Sequence, residues 1–326
     1  MSRCPDYNYL LVFPRLRVQA ANAISSPLTH GFPSITAFTG LMWALGRKAA
    51  EAGISNLKFR AIGVVCHQHQ ELVSDAYIKA FSLTRNPIER DGKTAAIVEE
   101  GRIHLEVSLV LAVESSQLGM DEVADKALAE QLAQILQTMR IAGGVLLPSR
   151  RYTSPYWVAM TGSAEGRRAL FERLRLRLLP GFALVARDDL LAEARTVLQQ
   201  ETPEATVLDA WLLRSRLNWR YDSETGHWQH DRPKGSGWIV PIPVGYTALT
   251  DVQTPGTVSN ARDETTPFRF VESLYSLGEW VSPHRLQTSE QLLWYADSQP
   301  DQGLYRCRND YCCIDNSDDE FSSIFD

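Results

Sequence analysis

The stretch that decides the fold is residues 103–112, which read IHLEVSLVLA. An apolar residue at every second position alternates there with polar residues such as His104 and Glu106. This period-two alternation predicts a strand with one buried face. Two further strands are predicted for the apolar runs YLLVFPRLRVQ, at residues 9–19, and FRAIGVVCH, at residues 59–67.

Two helices are predicted between these strands. The first begins after Ser34, a residue type that caps helices, and its apolar residues recur at helical spacing. The second covers about residues 121–140, with an aspartate as its cap. The pair Gly143 and Gly144 then marks a tight turn or a close approach of the backbone to a ligand. A short apolar run at residues 145–147 predicts the last strand.

The order strand, helix, strand, strand, helix, strand predicts an α+β fold of the ferredoxin-like (RNA-recognition-like) kind, βαββαβ. Such a fold places two helices on one face of a four-stranded antiparallel sheet and leaves the other face open. RNA-recognition domains hold single-stranded RNA on that open face, although the same plan serves many unrelated functions. Residues 69–102 are too long for a turn, and we predict an inserted thumb hairpin there.

We predict three parts along the chain. They are an RNA-recognition-like domain at residues 1–150 with the thumb at about 69–102, a C-terminal extension at 151–309 packed on it, and a disordered acidic tail at 310–326. The tail holds six of the 39 acidic residues and none of the 33 Lys and Arg residues, so the rest of the chain is neutral overall. A neutral body does not exclude a nucleic-acid binder, and it suits a subunit that needs partners to hold its ligand.

The C-terminal extension gives weaker patterns. FVESLYSLGEW, at residues 270–280, predicts a helix from the spacing of its apolar residues. WIVPIPVGYTAL, at residues 238–249, predicts an extended segment whose two prolines exclude a regular central strand. A helix at about residues 165–181 carries five arginines, which form either a solvated face or a basic surface for RNA, DNA or protein.

The sequence points to a cytoplasmic protein with no membrane contact. No apolar run approaches the length of a membrane span, and the N-terminus has no signal-peptide pattern. The five cysteines do not make a disulfide framework. His67 and His69 with His104, and Cys307 with the Cys312–Cys313 pair, are only weak metal patterns, so we expect neither metal nor cofactor.

Two features of the first half favour contact with nucleic acid. The polar loop AANAISSPLTHGFP, at residues 20–33, leads into a helix N-terminus, where free backbone N–H groups and the positive end of the helix dipole suit a phosphate. Arg15 and Arg17 lie on the open face of the first strand, where a merely solvated face is the alternative.

Five longer strings carry a resemblance to a known family. The strings are RLRVQAANAISSPLTHGFPSITAFTG (15–40), SLTRNPIERDGKTAAIVEEGRIHLEVSL (82–109), MRIAGG (139–144), RLRLLPGFALVARDDLL (175–191) and FRFVESLYSLGEWVSPHRL (268–286). They resemble the Csy-type (type I-F) CRISPR surveillance complex, and within it the subunit that binds the 5′ handle of the CRISPR RNA (crRNA). The resemblance runs from about residue 9 to 306; the acidic tail, with its cysteines, does not share it.

The resemblance implies a non-catalytic RNA-binding and assembly subunit of an antiviral ribonucleoprotein. Members have an RNA-recognition-like body with a projecting thumb. They pair with the large subunit of the complex at the 5′ end of the RNA and abut the first of the repeated backbone subunits. A separate endoribonuclease makes the mature RNA, and the assembled complex finds target DNA by guide pairing, so that contact of this subunit with DNA is indirect.

An RNA handle needs phosphate anchors, stacking surfaces and groups that reach base edges. The expected RNA-binding residues are the phosphate anchors Asn22, Ser25, Ser26, Ser34, Gly143 and Gly144, the stacking residues His30 and Phe32, the thumb residues Arg85, Arg90 and Lys93, and the basic residues Arg15, Arg17 and Arg140.

Two alternatives stay open at this point. Related RNA-binding folds in CRISPR systems cleave RNA without a metal, and His30 beside the polar loop can be cast as their general acid or base. That role needs a positioned partner that the sequence does not identify. The other alternative is a pure protein scaffold for the large subunit that scarcely touches RNA.

Overall fold

The computed structural model describes residues 3–75, 77–85, 88, 92–148, 153–232, 235–261 and 263–311. In these residues the strands are β1 (Tyr9–Asn22), β2 (Ile24–Ser26), β3 (Thr29–His30), β4 (Lys58–Glu71), β5 (Val73–Asp75), β6 (Lys79–Arg85), β7 (Ile97–Glu100), β8 (Arg102–Glu114), β9 (Arg140–Ile141), β10 (Gly144–Leu147), β11 (Tyr156–Ala159), β12 (Phe182–Ala186), β13 (Trp219–Asp222), β14 (His227–His230), β15 (Ile239–Ala248), β16 (Val271–Val281), β17 (Leu293–Gln299) and β18 (Leu304–Asn309). The fold is therefore a mixture of helices with a large antiparallel sheet.

The α-helices in the described residues are α1 (Ile35–Glu51), α2 (Glu122–Gln137), α3 (Ala164–Arg177), α4 (Asp188–Glu201) and α5 (Val207–Ser215). Four of these five α-helices begin after a residue whose side chain accepts a hydrogen bond from the first turn, and α4 is the exception. Ser34 accepts from the N–H of Thr36 before α1, and Asp121 accepts from the N–H groups of Val123 and Ala124 before α2. Both predicted caps are confirmed. None of these helices is long and apolar enough to cross a membrane.

The first half of the chain supplies four neighbouring antiparallel strands in the order β10, β1, β8, β4. Both helices of this half pack on one face of these strands. Phe38 and Leu45 of α1 share a buried cluster with Leu132 of α2 and with Leu109 and Leu111 of β8. The alternation at residues 103–112 predicted this buried face, because every second side chain of a strand points to the same side.

From the sequence we expected the second face of these four strands to be open. In the structure, part of this face is covered. Leu10 of β1 and Val110 of β8 pack there against Phe171 and Leu174 of α3. The expectation of an open face is wrong for this half of the sheet, because residues 109–113 are apolar on both faces and need cover on both. The face remains accessible only toward the other end of β8, at residues 102–106.

Strands from the second half of the chain extend the same sheet and close it into a ring. β12 pairs with β4 at Cys66, and β17 pairs with β4 at Gly63. The strands β16, β15 and β18 connect β12 to β17, so β4 and five later strands form a closed circuit. Trp294 of β17 is fully buried in it and donates its indole N–H to the carbonyl of Leu184 at 2.7 Å.

Two sequence predictions for this second half have different outcomes. The predicted helix at residues 270–280 is wrong, since these residues form β16. The prolines of β15 confirm the expectation of an irregular strand. Pro241 and Pro243 pair only with β16, a register shift follows before Gly245, and the second neighbour, β18, joins only from Gly245 onward. The missing N–H groups thus fall where β15 has only one neighbour.

The thumb, defined here as residues 73–100, contains three short antiparallel strands, β5, β6 and β7. It carries exposed apolar side chains, among them Tyr77, Ile78 and Leu83. Arg90 lies outside the described residues. So does residue 312 onward, which includes most of the predicted acidic tail with Cys312 and Cys313. Among the described cysteines, Cys4, Cys66 and Cys307 are free thiols.

Candidate nucleic-acid interface

An open groove of about 710 Å³ lies on the sheet where the second face is uncovered. Its lining consists of Arg17, Val18, Gln19, Gln68, His69, Gln70, His104, Leu105, Glu106 and Leu147. The register explains how three strands meet there, because Arg17 of β1 and Gln68 of β4 both pair with Glu106 of β8, and Gln70 pairs with His104. Paired residues of antiparallel strands lie on the same face, so their side chains form one polar strip across the sheet.

Several polar groups of this groove have no partner within the described part of the chain. The side chains of Gln19, Gln68, His69 and Gln70 are exposed, and the described residues form no hydrogen bond with them. The Nδ1 atom of His104 accepts from the N–H of Ala20 at 3.1 Å, which leaves its Nε2–H as a donor. Carboxamides and imidazoles of this kind both donate and accept, as recognition of the edges of unpaired bases requires.

The sequence predictions missed Gln68 and Gln70. The signal that could have found them is the change of composition along β4, where the apolar run FRAIGVVC gives way to the polar run HQHQE at residues 67–71. Where a strand extends beyond the elements that cover it, its side chains meet solvent and are polar. The side chains of a ligand-binding surface are polar too, so the sequence pattern is the same in both cases.

Of the two arginines predicted on β1, Arg17 lines the groove and Arg15 is used for internal contacts. The guanidinium of Arg15 lies 2.7 Å from the carboxylate of Glu106 and donates to the carbonyl of Leu179 at 3.2 Å. Arg17 makes one weaker contact, a hydrogen bond to the carbonyl of Pro148 at 3.3 Å. Arg17 is therefore a cation of the groove whose other guanidinium N–H groups can bind a phosphate.

His67 lies next to the groove and bonds through its two ring nitrogens to the second half of the chain and to β8. Its Nδ1 lies 2.6 Å from the carbonyl oxygen of Pro180 and its Nε2 lies 2.7 Å from the Oγ of Ser108. A carbonyl only accepts, so Nδ1 carries the proton and Nε2 accepts from Ser108. Burial lowers the pKa of His67 below its usual value of 6.5, with a further lowering by the charge of Arg15. The ring is thus neutral when it makes these bonds.

The polar loop before α1 uses most of its own hydrogen-bonding groups. Asn22 closes a short turn with Ile24, and the hydroxyls of Ser25 and Ser26 bond to Thr29. Ser34 caps α1 and lies 3.2 Å from the carbonyl of Pro243, to which it donates. These predicted phosphate anchors therefore have little capacity left in their side chains.

The two predicted stacking residues differ in their surroundings. His30 is exposed, lies 2.9 Å from the carboxylate of Glu71, and meets the ring of Phe81 edge-on at 5.5 Å. Phe32 stacks on Phe38 with centroids 5.5 Å apart and packs against the main core. Its faces are occupied by protein, so the structure leaves His30 and not Phe32 exposed for stacking.

The chain turns between β9 and β10 at Ala142 and Gly143, and Gly144 is the first residue of β10. Gly143 has φ of +79° with open space around it, and its carbonyl accepts from Arg140 at 3.2 Å. At Gly144 a Cβ would lie 2.7 Å from Val18 and 2.8 Å from backbone atoms of β1. Of the two reasons predicted for this pair, the tight turn is present, and the close approach at Gly144 is to the protein's own strand.

The predicted thumb cations lie apart from the groove lining. Arg85 ends β6, is exposed, and pairs in register with Ile97 of β7. Lys93 is also exposed on the thumb. Neither residue lines the groove between β1, β4 and β8. A ligand that touches both regions has to extend from the sheet onto the thumb.

Comparison with known proteins shows the family of this chain. The family model described as CRISPR-associated protein (Cas_Csy2) matches residues 11–307, which include every strand of the groove. The chain belongs to the Csy2 family. It is 47% identical over 319 residues to the CRISPR-associated protein Csy2 of Pseudomonas aeruginosa (strain UCBPP-PA14), and this covers 92% of the chain and 95% of that protein. The resemblance to a Csy-type, type I-F subunit drawn from the sequence is confirmed.

The basic helix of this Csy2-family chain, α3, is partly used for internal structure. Arg167 lies 3.1 Å from the carboxylate of Glu290, and the guanidinium of Arg177 lies 3.9 Å from the ring centre of Tyr156. Arg175 donates to a backbone carbonyl. The continuous basic face considered from the sequence is therefore interrupted by these inward-facing arginines.

The histidines that the sequence suggested as metal ligands, His67, His69 and His104, have separate surroundings in this Csy2-family chain. His67 and His104 are each bonded within the protein, as described above, and His69 is exposed in the groove. In the described ranges, no group of three or more His, Cys, Asp or Glu side chains is arranged to hold a metal.

Proposed function

We propose that this Csy2-family chain is the non-catalytic crRNA 5′-handle-binding and assembly subunit of a cytoplasmic type I-F CRISPR surveillance complex in antiviral defence. The observation that carries the proposal is the polar strip across β1, β8 and β4. There, the carboxamides of Gln68 and Gln70, the imidazole of His104 and the guanidinium of Arg17 face one open groove.

These groups suit a short single-stranded RNA better than a duplex. A duplex hides the Watson–Crick edges of its bases, whereas a splayed single strand offers them to amide and imidazole side chains. Arg17 adds a cation for the backbone phosphates. The order β10, β1, β8, β4 with α1 and α2 on one face supports an RNA-recognition-like (ferredoxin-like) body, in which RNA lies on the sheet.

The assembly role rests on the thumb. Its exposed apolar residues, such as Tyr77 and Leu83, suit contact with a neighbouring protein, and Arg85 and Lys93 suit RNA that passes beneath it. We propose the adjacent backbone subunit as the partner of the thumb and the large subunit as a partner of the body. Target DNA is then reached only through the assembled complex.

One contact favours the alternative of a metal-independent endoribonuclease. The exposed His30 lies 2.9 Å from Glu71, a carboxylate that can orient a general base. RNA cleavage also needs a group that protonates the leaving oxygen. The described contacts of His30 are with Glu71 and Phe81 and supply no such group. We therefore retain the non-catalytic role as the proposal.

A co-expression pulldown tests the proposal. The tagged chain is expressed with and without the large subunit and probed for repeat-derived RNA that carries the 5′ handle, with handle-scrambled RNA as the control. We expect retention of intact handle RNA, and a marked loss in the double variant Gln68→Ala/Gln70→Ala. The matched control is Gln302→Ala, which removes an exposed carboxamide outside the groove.

Two outcomes would replace the proposal. Shortening of the RNA by the chain alone, abolished by His30→Ala, would favour the endoribonuclease. Binding of the large subunit with no retention of either RNA would leave only the scaffold role.

A further inference from the structure

One acidic side chain lies in the groove, among groups that suit RNA. Of the described residues that line the groove, Glu106 alone carries a negative charge. It lies within the polar strip, because its cross-strand neighbours are Arg17 of β1 and Gln68 of β4. A carboxylate repels the phosphates of a nucleic acid. The part of an RNA that lies against Glu106 therefore has to be a base that donates hydrogen bonds.

The carboxylate of Glu106 is held in place from one side. Its Oε1 accepts a hydrogen bond of 2.7 Å from the guanidinium of Arg15, which also donates to the carbonyl of Leu179 at 3.2 Å. The side chains of Glu106 and Arg15 are only 23% and 31% exposed, so water competes weakly for this ion pair. A carboxylate that is already ordered loses little conformational entropy when a ligand binds to it.

Some acceptor sites of this carboxylate remain open. Within the described part of the chain, Oε2 of Glu106 receives no hydrogen bond. An ionised carboxylate has about four acceptor sites, and Arg15 occupies one of them. The carboxamide of the neighbouring Gln68 makes no hydrogen bond with the described residues either. A base edge that lies across this pair of residues meets acceptors at Glu106 and an N–H donor at Gln68.

Guanine matches this order of acceptors and donor. Its Watson–Crick edge carries the acceptor O6, followed by two adjacent donors, N1–H and the N2 amino group. Adenine and cytosine each place one amino group beside a ring nitrogen that accepts, and uracil has one N–H between two carbonyls. In those three bases an acceptor would face the carboxylate of Glu106, which costs free energy because neither group can donate. Guanine is thus the base that the pair Glu106 and Gln68 favours.

We propose that Glu106 reads one guanine of the single-stranded RNA in the groove, accepting from N1–H and the N2 amino group while Gln68 donates to O6. This inference rests on the proposed function and adds the base that the polar strip selects. Arg15 is a positioning residue, since it holds the carboxylate and is not part of the groove lining. Arg17, on the other side of Glu106, stays available to a phosphate.

The chain offers a matched control on the same strand. Glu114 is the last residue of β8 and forms an ion pair with Arg60 of β4. It does not line the groove. The change Glu114→Gln therefore removes the same charge from the same strand, also beside an arginine, and leaves the groove unaltered.

The test measures binding of fluorescently labelled handle RNA by anisotropy, with this chain co-purified with the large subunit. Each guanine of the repeat-derived RNA is replaced in turn by inosine, which lacks only the N2 amino group. We expect one inosine position to weaken binding about tenfold in the unaltered protein and in Glu114→Gln, because a hydrogen bond to a charged acceptor is lost.

Glu106→Gln should remove this discrimination. The new amide keeps its carbonyl on Arg15 and turns its NH₂ group toward the base, so guanine and inosine should bind within about twofold of each other. A purely structural role of Glu106 would lower the affinity for both RNAs and leave their ratio unchanged. An equal effect of inosine in Glu106→Gln and in the unaltered protein would therefore overturn the inference and leave handle binding in place.

A second measurement needs no altered protein and remains informative if Glu106→Gln fails to fold. At the sensitive position, N1-methylguanosine blocks the other donor and should weaken binding at least as much as inosine does. In contrast, 7-deazaguanosine changes the opposite edge of the base and should bind as guanosine does. Tight binding of a handle RNA that contains no guanine would overturn the inference. If the unaltered protein does not bind handle RNA at all, both the proposed function and the reading of guanine fail.

Discussion

Single residues shape the end of the sheet that carries the groove. Arg15 and Ala20 have positive φ angles of 49° and 54°, at the two places where the pairing of β1 with β8 shifts register. Such conformations cost about 1–2 kcal/mol for residues with a Cβ. Each is held by a hydrogen bond to β8, since Arg15 N–H donates to the hydroxyl of Ser108 and Ala20 N–H donates to the imidazole of His104. These bulges bend β1 and separate Arg15, which is used internally, from Arg17 in the groove.

We predict that Gly144→Ala destabilises the protein even in the absence of RNA. The new methyl group would lie 2.7–2.8 Å from Val18 and from the backbone of β1, and backbone atoms cannot move aside without loss of pairing. We expect the free energy of unfolding in urea to fall by about 2 kcal/mol. Gly143→Asn is the control, because Asn tolerates positive φ and the space around Gly143 is open. Equal stability of the two variants would contradict this account of Gly144.

His67 predicts a dependence of stability on pH. Its pKa in the folded protein is below the ordinary value of 6.5, so between these two values the unfolded chain binds a proton that the folded chain does not. The free energy of unfolding should therefore fall as the pH drops from 7.5 to 5.5. His67→Gln keeps a donor and an acceptor without titrating, and its stability should fall less over this range. An identical fall in both proteins would assign the effect to other groups.

At the scale of elements, local patterns predicted those strands and helices that have one buried side. The strand at residues 103–112 and the caps at Ser34 and Asp121 are examples, because alternation and capping are properties of a few adjacent residues. β16 was mistaken for a helix for the opposite reason. Its residues 276–279 are all buried, since Leu277 packs against α4 and α5 on one face of β16 and Trp280 packs against the main core on the other, and a strand covered on both faces loses its alternation.

The candidate site was predictable only in part. Arg17 could be placed from the alternation of β1, and it lines the groove. Gln68 and Gln70 were missed because the change of composition along β4 marks polar side chains but does not show that they lie beside Glu106 and His104, which depends on the register of β4 against β8. Phe32 was expected to stack on a ligand, but its partner Trp280 lies far along the chain and covers it.

The thumb is an element whose removal we expect the body to tolerate. Its base is closed by a hydrogen bond of 2.8 Å from Leu72 N–H to the carbonyl of Arg102, outside the thumb itself. Replacement of residues 73–100 by a short Gly-Ser linker should leave unfolding cooperative and lower its free energy by about 2 kcal/mol, because Phe81 of the thumb packs against the main core. The same change should abolish co-purification of the adjacent backbone subunit. Failure of the thumbless chain to unfold cooperatively would show that the thumb belongs to the core.

At the scale of the whole molecule, the two ends of the described chain are joined. The carboxylate of Asp310 accepts from the N–H of Cys4 at 2.7 Å and from the hydroxyl of Tyr295 at 2.6 Å. Burial, with the charge of Asp310 as the next cause, raises the pKa of the Cys4 thiol to about 12. The thiol therefore stays protonated at this junction.

We predict that Asp310→Ala lowers the free energy of unfolding by about 2 kcal/mol, because it leaves two part-buried donors without their charged acceptor. Urea denaturation followed by tryptophan fluorescence measures this loss. Asp301→Ala serves as the control, since Asp301 is exposed and makes no hydrogen bond within the described residues. A loss of the same size in the control would indicate a general effect of the charge and not of the junction.

The closed ring of strands has a consequence for synthesis of the protein. The partner of Ile62 on β17 is translated about 230 residues later, which at about 5–20 residues per second is a delay of about 10–50 s. During this interval the outer edge of β4 has no β17 to pair with, and an unpaired strand edge attracts other strands. The nascent chain thus completes its sheet only when its last strands leave the ribosome, and a chain that stalls earlier exposes that edge to neighbouring proteins.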